Sequence, residues 1–207
     1  MQLDGLAVLF LGLVGAMASV PASASSILYD DSGPTTYGLA AGLTINGGYA
    51  VTDSFTLAQA STITGADFGI WLYPGDSLSS VEWSIGTSQF SGTPQTAATS
   101  NLGQVATGNN GYYPIDLESI DIGNLRLGPG TYWFTLQDAS ATNGDGAYWD
   151  ESNGPSSANQ TGTITRPSES FQMLGTTGQI IPEPASFLLF ASGLAGLAGI
   201  IRRGLKA

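Results

Sequence analysis

Few residue types in this sequence are suited to chemistry. Its 207 residues include neither histidine nor cysteine. That removes a Ser–His–Asp or Cys–His nucleophile set and any zinc site built from those ligands. A serine–lysine pair fares no better, because the single lysine is Lys206, at the far end of the chain. Paired carboxylates of the kind that hydrolyse glycosides remain, and Asp150–Glu151 beside Trp149 is the nearest such pair. Neighbouring residues on a strand point to opposite faces, so these two do not converge on one bond. The expectation is a body without catalysis or cofactor.

Binding chemistry is better supplied. Exposed rings flanked by acids and amides stack on the apolar faces of sugars while the polar groups take the hydroxyls. Trp133, Tyr148, Trp149 and Asp150 are residues of that kind. The competing expectation is that these rings pack inside the fold. For calcium, Asn143-Gly144-Asp145-Gly146 with Asp150 and Glu151 downstream offers oxygen ligands in a glycine-rich loop, and Asp30–Asp31 is a looser candidate. Neither has EF-hand spacing. Asn-Gly and Asp-Gly are turn formers first, so turns are expected there and no resident metal.

The elements that must position these residues are strands. Gly, Ser, Thr and Asn interrupt the chain about every ten residues, and no apolar i, i+3, i+4 pattern lasts three turns. Period-two alternation runs through Val51, Asp53, Phe55 and Leu57, one charge included, and through Phe68, Ile70 and Leu72. It recurs at Val81, Trp83 and Ile85, at Tyr113, Ile115 and Leu117, at Tyr132, Phe134 and Leu136, and at Phe171 and Met173. One apolar face per strand is what an antiparallel sheet covered on one side needs. The expected fold is all-β, an antiparallel β-sandwich with jelly-roll-like connections over residues 25–174. Tyr73-Pro74-Gly75-Asp76 and Leu127-Gly128-Pro129-Gly130 read as turns, and Asn46-Gly47-Gly48 as a hairpin. Residues 87–110 read as a polar loop or edge with a short strand near Leu102, and residues 175–181 as a stalk.

Charge is one-sided. Residues 25–184 hold fifteen of the sixteen acidic residues but only Arg126 and Arg166 of the five basic ones. Such a surface repels nucleic acid and anionic membranes, so neither is an expected partner.

Both ends carry targeting patterns. Residues 6–14 are an apolar stretch and Ala22-Ser23-Ala24 is an A-x-A cleavage site, so residues 1–24 read as a signal peptide, although Asp4 and no basic residue precedes the apolar stretch. At the other end stand Pro182-Glu183-Pro184, an uncharged run over 185–201, and Arg202-Arg203 in the basic tail 202–207. As a helix, 185–201 covers about 25 Å at 1.5 Å per residue, the short limit for crossing a bilayer. The following arginines place the C-terminus in the cytoplasm and the body outside.

The tripeptide, short helix and basic stop, in that order, resemble the PEP-CTERM protein-sorting signal. The resemblance implies export by the Sec translocon and recognition by an exosortase. That enzyme would cleave at Pro182-Glu183-Pro184 and pass the protein to the cell surface or polysaccharide matrix of a Gram-negative bacterium. Residues 125–134 and 147–151 also resemble segments of the extracellular domains that carry this tail. The resulting expectation is a non-catalytic matrix or biofilm protein. A carbohydrate-binding module of that matrix, with exopolysaccharide as partner, and an uncleaved single-pass membrane protein are the alternatives.

Overall fold

Alternating sequence becomes strand almost everywhere it occurs. The computed structural model describes residues 25–32, 42–108, 112–162 and 164–178. Its strands are β1 (Ser26–Asp31), β2 (Gly42–Thr44), β3 (Ala50–Leu57), β4 (Ser61–Trp71), β5 (Leu78–Gly86), β6 (Gln95–Ala98) and β7 (Ser100–Gly108). Then come β8 (Tyr113–Leu127), β9 (Gly130–Ala141), β10 (Tyr148–Ser152), β11 (Ala158–Gln160), β12 (Ile164–Arg166), β13 (Ser168–Glu169) and β14 (Phe171–Thr177). Among the described residues no helix is long and apolar enough to cross a membrane. The signal peptide with Ala22 and Ala24, the helix 185–201, and Pro182, Glu183, Pro184, Arg202 and Arg203 all lie outside the described residues.

The strands pair antiparallel into two sheets. In the first, β14 and β10 follow one another along one edge of β4 while β8 takes the other edge. β1, β2, β7 and β13 complete it. The second runs β12-β11-β3-β9-β5-β6. One hydrophobic cluster draws on both sheets, with Val51, Phe55, Phe134 and Leu136 from the second and Phe68, Ile70, Trp149 and Phe171 from the first. Trp149 is at its centre. Its ring meets Phe134 at 5.5 Å and Phe171 at 5.7 Å, both edge-on. Its indole N–H donates to the Ser170 carbonyl at 3.0 Å, so the one polar atom of a fully buried side chain is satisfied.

The structure differs from the sequence reading in four places. The strand expected near Leu102 is present as β7 but is longer than read, and residues 87–110 also hold a second strand, β6. Among the described strands each pairs on one side only, with β5 and β8 respectively. Edge strands facing water have no need of apolar alternation. Asn46-Gly47-Gly48 does form a turn, with Tyr49 N–H on the Asn46 carbonyl at 3.2 Å, but β2 and β3 on either side of it belong to different sheets. On β8, Ile115 faces Trp71 and Leu117 faces Gly69. Cross-strand partners share a face, so this apolar row lies outside and Ile120 and Ile122 supply the core side. Residues 175–177 are not the start of a stalk, because they continue β14 against Ile63, Thr62 and Ser61.

Candidate functional site

Strand periodicity builds an aromatic surface on the outside of the first sheet. Phe68, Ile70 and Leu72 enter the core, which sends Gly69, Trp71 and Tyr73 to the other face. Tyr113 stacks over Trp71 with centroids 6.1 Å apart and planes 29° apart. Tyr73 meets Tyr113 edge-on at 5.1 Å and Tyr112 does so at 4.8 Å. Tyr148 stands directly across from Trp71 and shares a hydrogen bond with Tyr73, which also bonds Tyr113. Tyr112 is 58 % exposed, whereas Trp71 beneath the group is 6 % exposed. The Tyr148 ring fits because residue 146 is glycine, where a Cβ would approach its hydroxyl to 2.5 Å.

The Tyr73 hydrogen bond, then desolvation and the neighbouring phenols, push Tyr113 up to about 12. Burial, then the charge of Tyr73, pushes Tyr148 up as well. These phenols stay neutral at ordinary pH and offer hydroxyls that both donate and accept. Rings that stack, rimmed by neutral hydroxyls and Asp145, suit the apolar and polar faces of a sugar.

The four residues named for sugar binding separate. Tyr148 belongs to this surface. Trp149 is core. Asp150 is buried on the outer side, where its Oδ1 accepts the Trp71 indole N–H. Trp133 lies half-buried on the outside of the other sheet, across from Ser54 and Gly86. Sequence reasoning missed Trp71, Tyr73, Tyr112 and Tyr113. The adjacent Tyr112–Tyr113 pair and a tyrosine opening the 73–76 turn were the available signal.

The calcium candidates do not converge either. Asn143 N–H donates to Asp76 Oδ1 at 2.9 Å, and Ser77 N–H does so at 3.0 Å. Slight desolvation of Asp76 is outweighed by these bonds and that of Thr142, which hold its carboxyl below the usual range. The Asp145 carbonyl accepts from the Asn46 amide at 2.8 Å. The turn thus commits the Asn143 N–H and the Asp145 carbonyl to hydrogen bonds, and Asp150 is buried in β10. Glu151 lies across from Glu169, on the face opposite Asp150. Among the described residues no three His, Cys, Asp or Glu side chains are placed to hold a metal ion.

Asp31 enters a group the sequence did not reveal, while Asp30 faces solvent. The charge on the inner face of β3, Asp53, is fully buried together with Asp31 and Glu169. Asp53 accepts the Glu169 N–H at 2.7 Å and the Ser54 N–H at 2.6 Å. Ser168 Oγ reaches Asp31 at 2.6 Å and Asp53 at 3.2 Å, and Ser156 Oγ contacts both Asp31 and Ser168. Two hydroxyls supply two protons for these four contacts, so protons retained on the carboxyls of Asp31 and Asp53 complete the network. Burial pushes Asp53 up to about 7, and it also raises Asp31 against the serine hydrogen bonds. Burial, then the Asp53 charge, raises Glu169, both of whose carboxyl oxygens are buried without a hydrogen-bond partner. The three carboxyls and Ser168 are buried, and only Ser156 of this group is partly exposed.

The address of the protein comes from the end of the chain. A family model of the PEP-CTERM protein-sorting motif matches residues 181–203. The chain carries a PEP-CTERM sorting motif. The match spans the Pro182-Glu183-Pro184 tripeptide, the apolar run and Arg202-Arg203. A PEP-CTERM motif marks an exported protein, addressed to the cell envelope through an exosortase. A search among curated proteins finds no match.

Proposed function

We propose that this chain is a non-catalytic component of the extracellular matrix of a Gram-negative bacterium, delivered by exosortase sorting and at home in a biofilm. The PEP-CTERM match over 181–203 carries the reading. Residues 1–24 direct Sec export and are removed after Ala24. Residues 185–201 then hold the body outside the inner membrane, N-out and C-in, until cleavage near Pro182-Glu183-Pro184 frees it to the surface. The body is a jelly-roll-like β-sandwich. Sequence-distant neighbours such as β1 beside β14 and β3 beside β9 support that topology. Replacing Pro182, Glu183 and Pro184 by alanine is expected to move the protein from the extracellular fraction to the membrane fraction, with release reduced at least ten-fold in quantitative blots. Equal release of variant and wild type contradicts the sorting step, and membrane retention of both identifies an uncleaved single-pass protein.

The tyrosine surface favours a second reading, in which the body binds matrix polysaccharide. Retardation in gels cast with polysaccharide is expected to fall in Tyr113→Ala and to persist in Tyr113→Phe, which keeps the ring. Equal retardation of Tyr113→Ala and wild type contradicts this reading.

A further inference from the structure

The outside of the second sheet carries an unusual row. Ser84 lies across from Thr135, Thr135 from Thr52, Thr52 from Asn159, and Asn159 from Thr165. Five strands thus place uncharged hydroxyls and an amide side by side on one face. Thr135 Oγ1 donates to Thr52 Oγ1 at 2.9 Å, and Thr165 Oγ1 to Asn159 Oδ1 at 3.0 Å. Thr52 and Thr135 are buried, while Asn159 and Thr165 open into a groove of about 450 Å³ whose walls include Gln89, Phe90 and Thr161. Among the described residues no charged side chain lines it. That is notable on a body whose acids far outnumber its two arginines.

Phe90 is the odd member. It has φ 54° and is 40 % exposed. A non-glycine residue in the left-handed region is strained, and an exposed aromatic ring gains little from burial. The loop nonetheless fixes it firmly. Ser91 N–H and Oγ both donate to the Ser88 carbonyl, at 3.2 and 2.6 Å, and Ser88 N–H donates to Ser91 Oγ at 3.1 Å. Ser84 Oγ donates to the Ser91 carbonyl at 3.3 Å, anchoring the loop to the row. Gly86 permits this closure, because a Cβ there would lie 2.0 Å from Ser91 Oγ. Trp133 stands on the same face, two residues from Thr135.

We propose that this groove binds a neutral oligosaccharide segment, with Phe90 as the stacking ring and Asn159, Gln89 and Thr165 as hydroxyl partners. A strained, rigidly presented ring beside amides and hydroxyls matches the alternating apolar and polar faces of a sugar. The absence of a cation in the lining, on an acidic body, selects against a uronic-acid polymer. The site goes beyond the tyrosine reading and shares no residue with it.

The test is affinity electrophoresis of the full chain in a polyoxyethylene detergent, through gels containing dextran, β-1,3-glucan, mannan or galactan, with polygalacturonate as the acidic comparison. Every sample carries Tyr113→Ala, so the tyrosine surface and the groove fail separately. At least one neutral polymer is expected to retard the chain and polygalacturonate is not. Asn159→Ala weakens that retardation at least ten-fold. Phe90→Gly does the same while raising Tm, since glycine relieves the left-handed strain; a purely structural ring would lower both or neither. Three results would overturn the proposal: no retardation by any neutral polymer, retardation unchanged in Phe90→Gly, or stronger retardation by polygalacturonate.

Discussion

Trp149→Ala is expected to lower the unfolding free energy by about 4 kcal/mol, because emptying a fully packed tryptophan site costs about 3–5 kcal/mol. The ring is buried against Phe134 and Phe171 from opposite sheets, and its loss also leaves the Ser170 carbonyl without the indole donor. Urea unfolding measures the change. Trp133→Ala, on the half-buried outer face, is the internal comparison and is expected to change stability by about 1 kcal/mol, as at a partly exposed site. Equal effects of the two substitutions would contradict the placement of Trp149 as the link between the sheets.

Raising the pH from 5 to 8 is expected to destabilise the fold. Burial pushes Asp53, Glu118 and Asp150 each up to about 7, and raises Asp31 and Glu169 as well. In the unfolded chain such groups titrate near their usual value of about 4. Between about 4 and 7 the folded state therefore keeps protons that the unfolded state has released. The stability tied to those protons is fully present below the unfolded value and is lost as pH rises through the folded one. Each group contributes a slope of about 1.4 kcal/mol per pH unit while it titrates. Urea midpoints at pH 5, 6, 7 and 8 should fall steadily. Asp150→Asn should flatten the fall, because an amide also accepts the Trp71 N–H but has no proton to lose. A midpoint that is level or rises over this range would contradict the buried, proton-holding acids.

Much of the frame was legible from alternation. Phe68, Ile70 and Leu72, and likewise Phe134 and Leu136, face the core as their spacing predicts. Trp133 faces outward for the same reason. Alternation assigns faces without saying what covers them, and here it stopped short. Trp149 looks like a sugar-stacking residue beside Tyr148 and Asp150, yet its strand sits between β4 and β2, where every second side chain is core. Asp53 looks like an interruption of an apolar face. It is buried because Asp31, from the first strand, and the sequence-distant serines 156 and 168 meet it there. The tyrosine surface joins residues from 71 to 148 through sheet register, which no local pattern encodes. By contrast, the sorting motif is contiguous and was readable in full.

Intact mass of the protein collected outside its own cells tests the central claim most directly. Export followed by exosortase sorting predicts a product that begins after Ala24 and ends near Pro182-Glu183-Pro184, without the apolar run or the arginines behind it. A secreted product that still carries residues 205–207 would contradict the account.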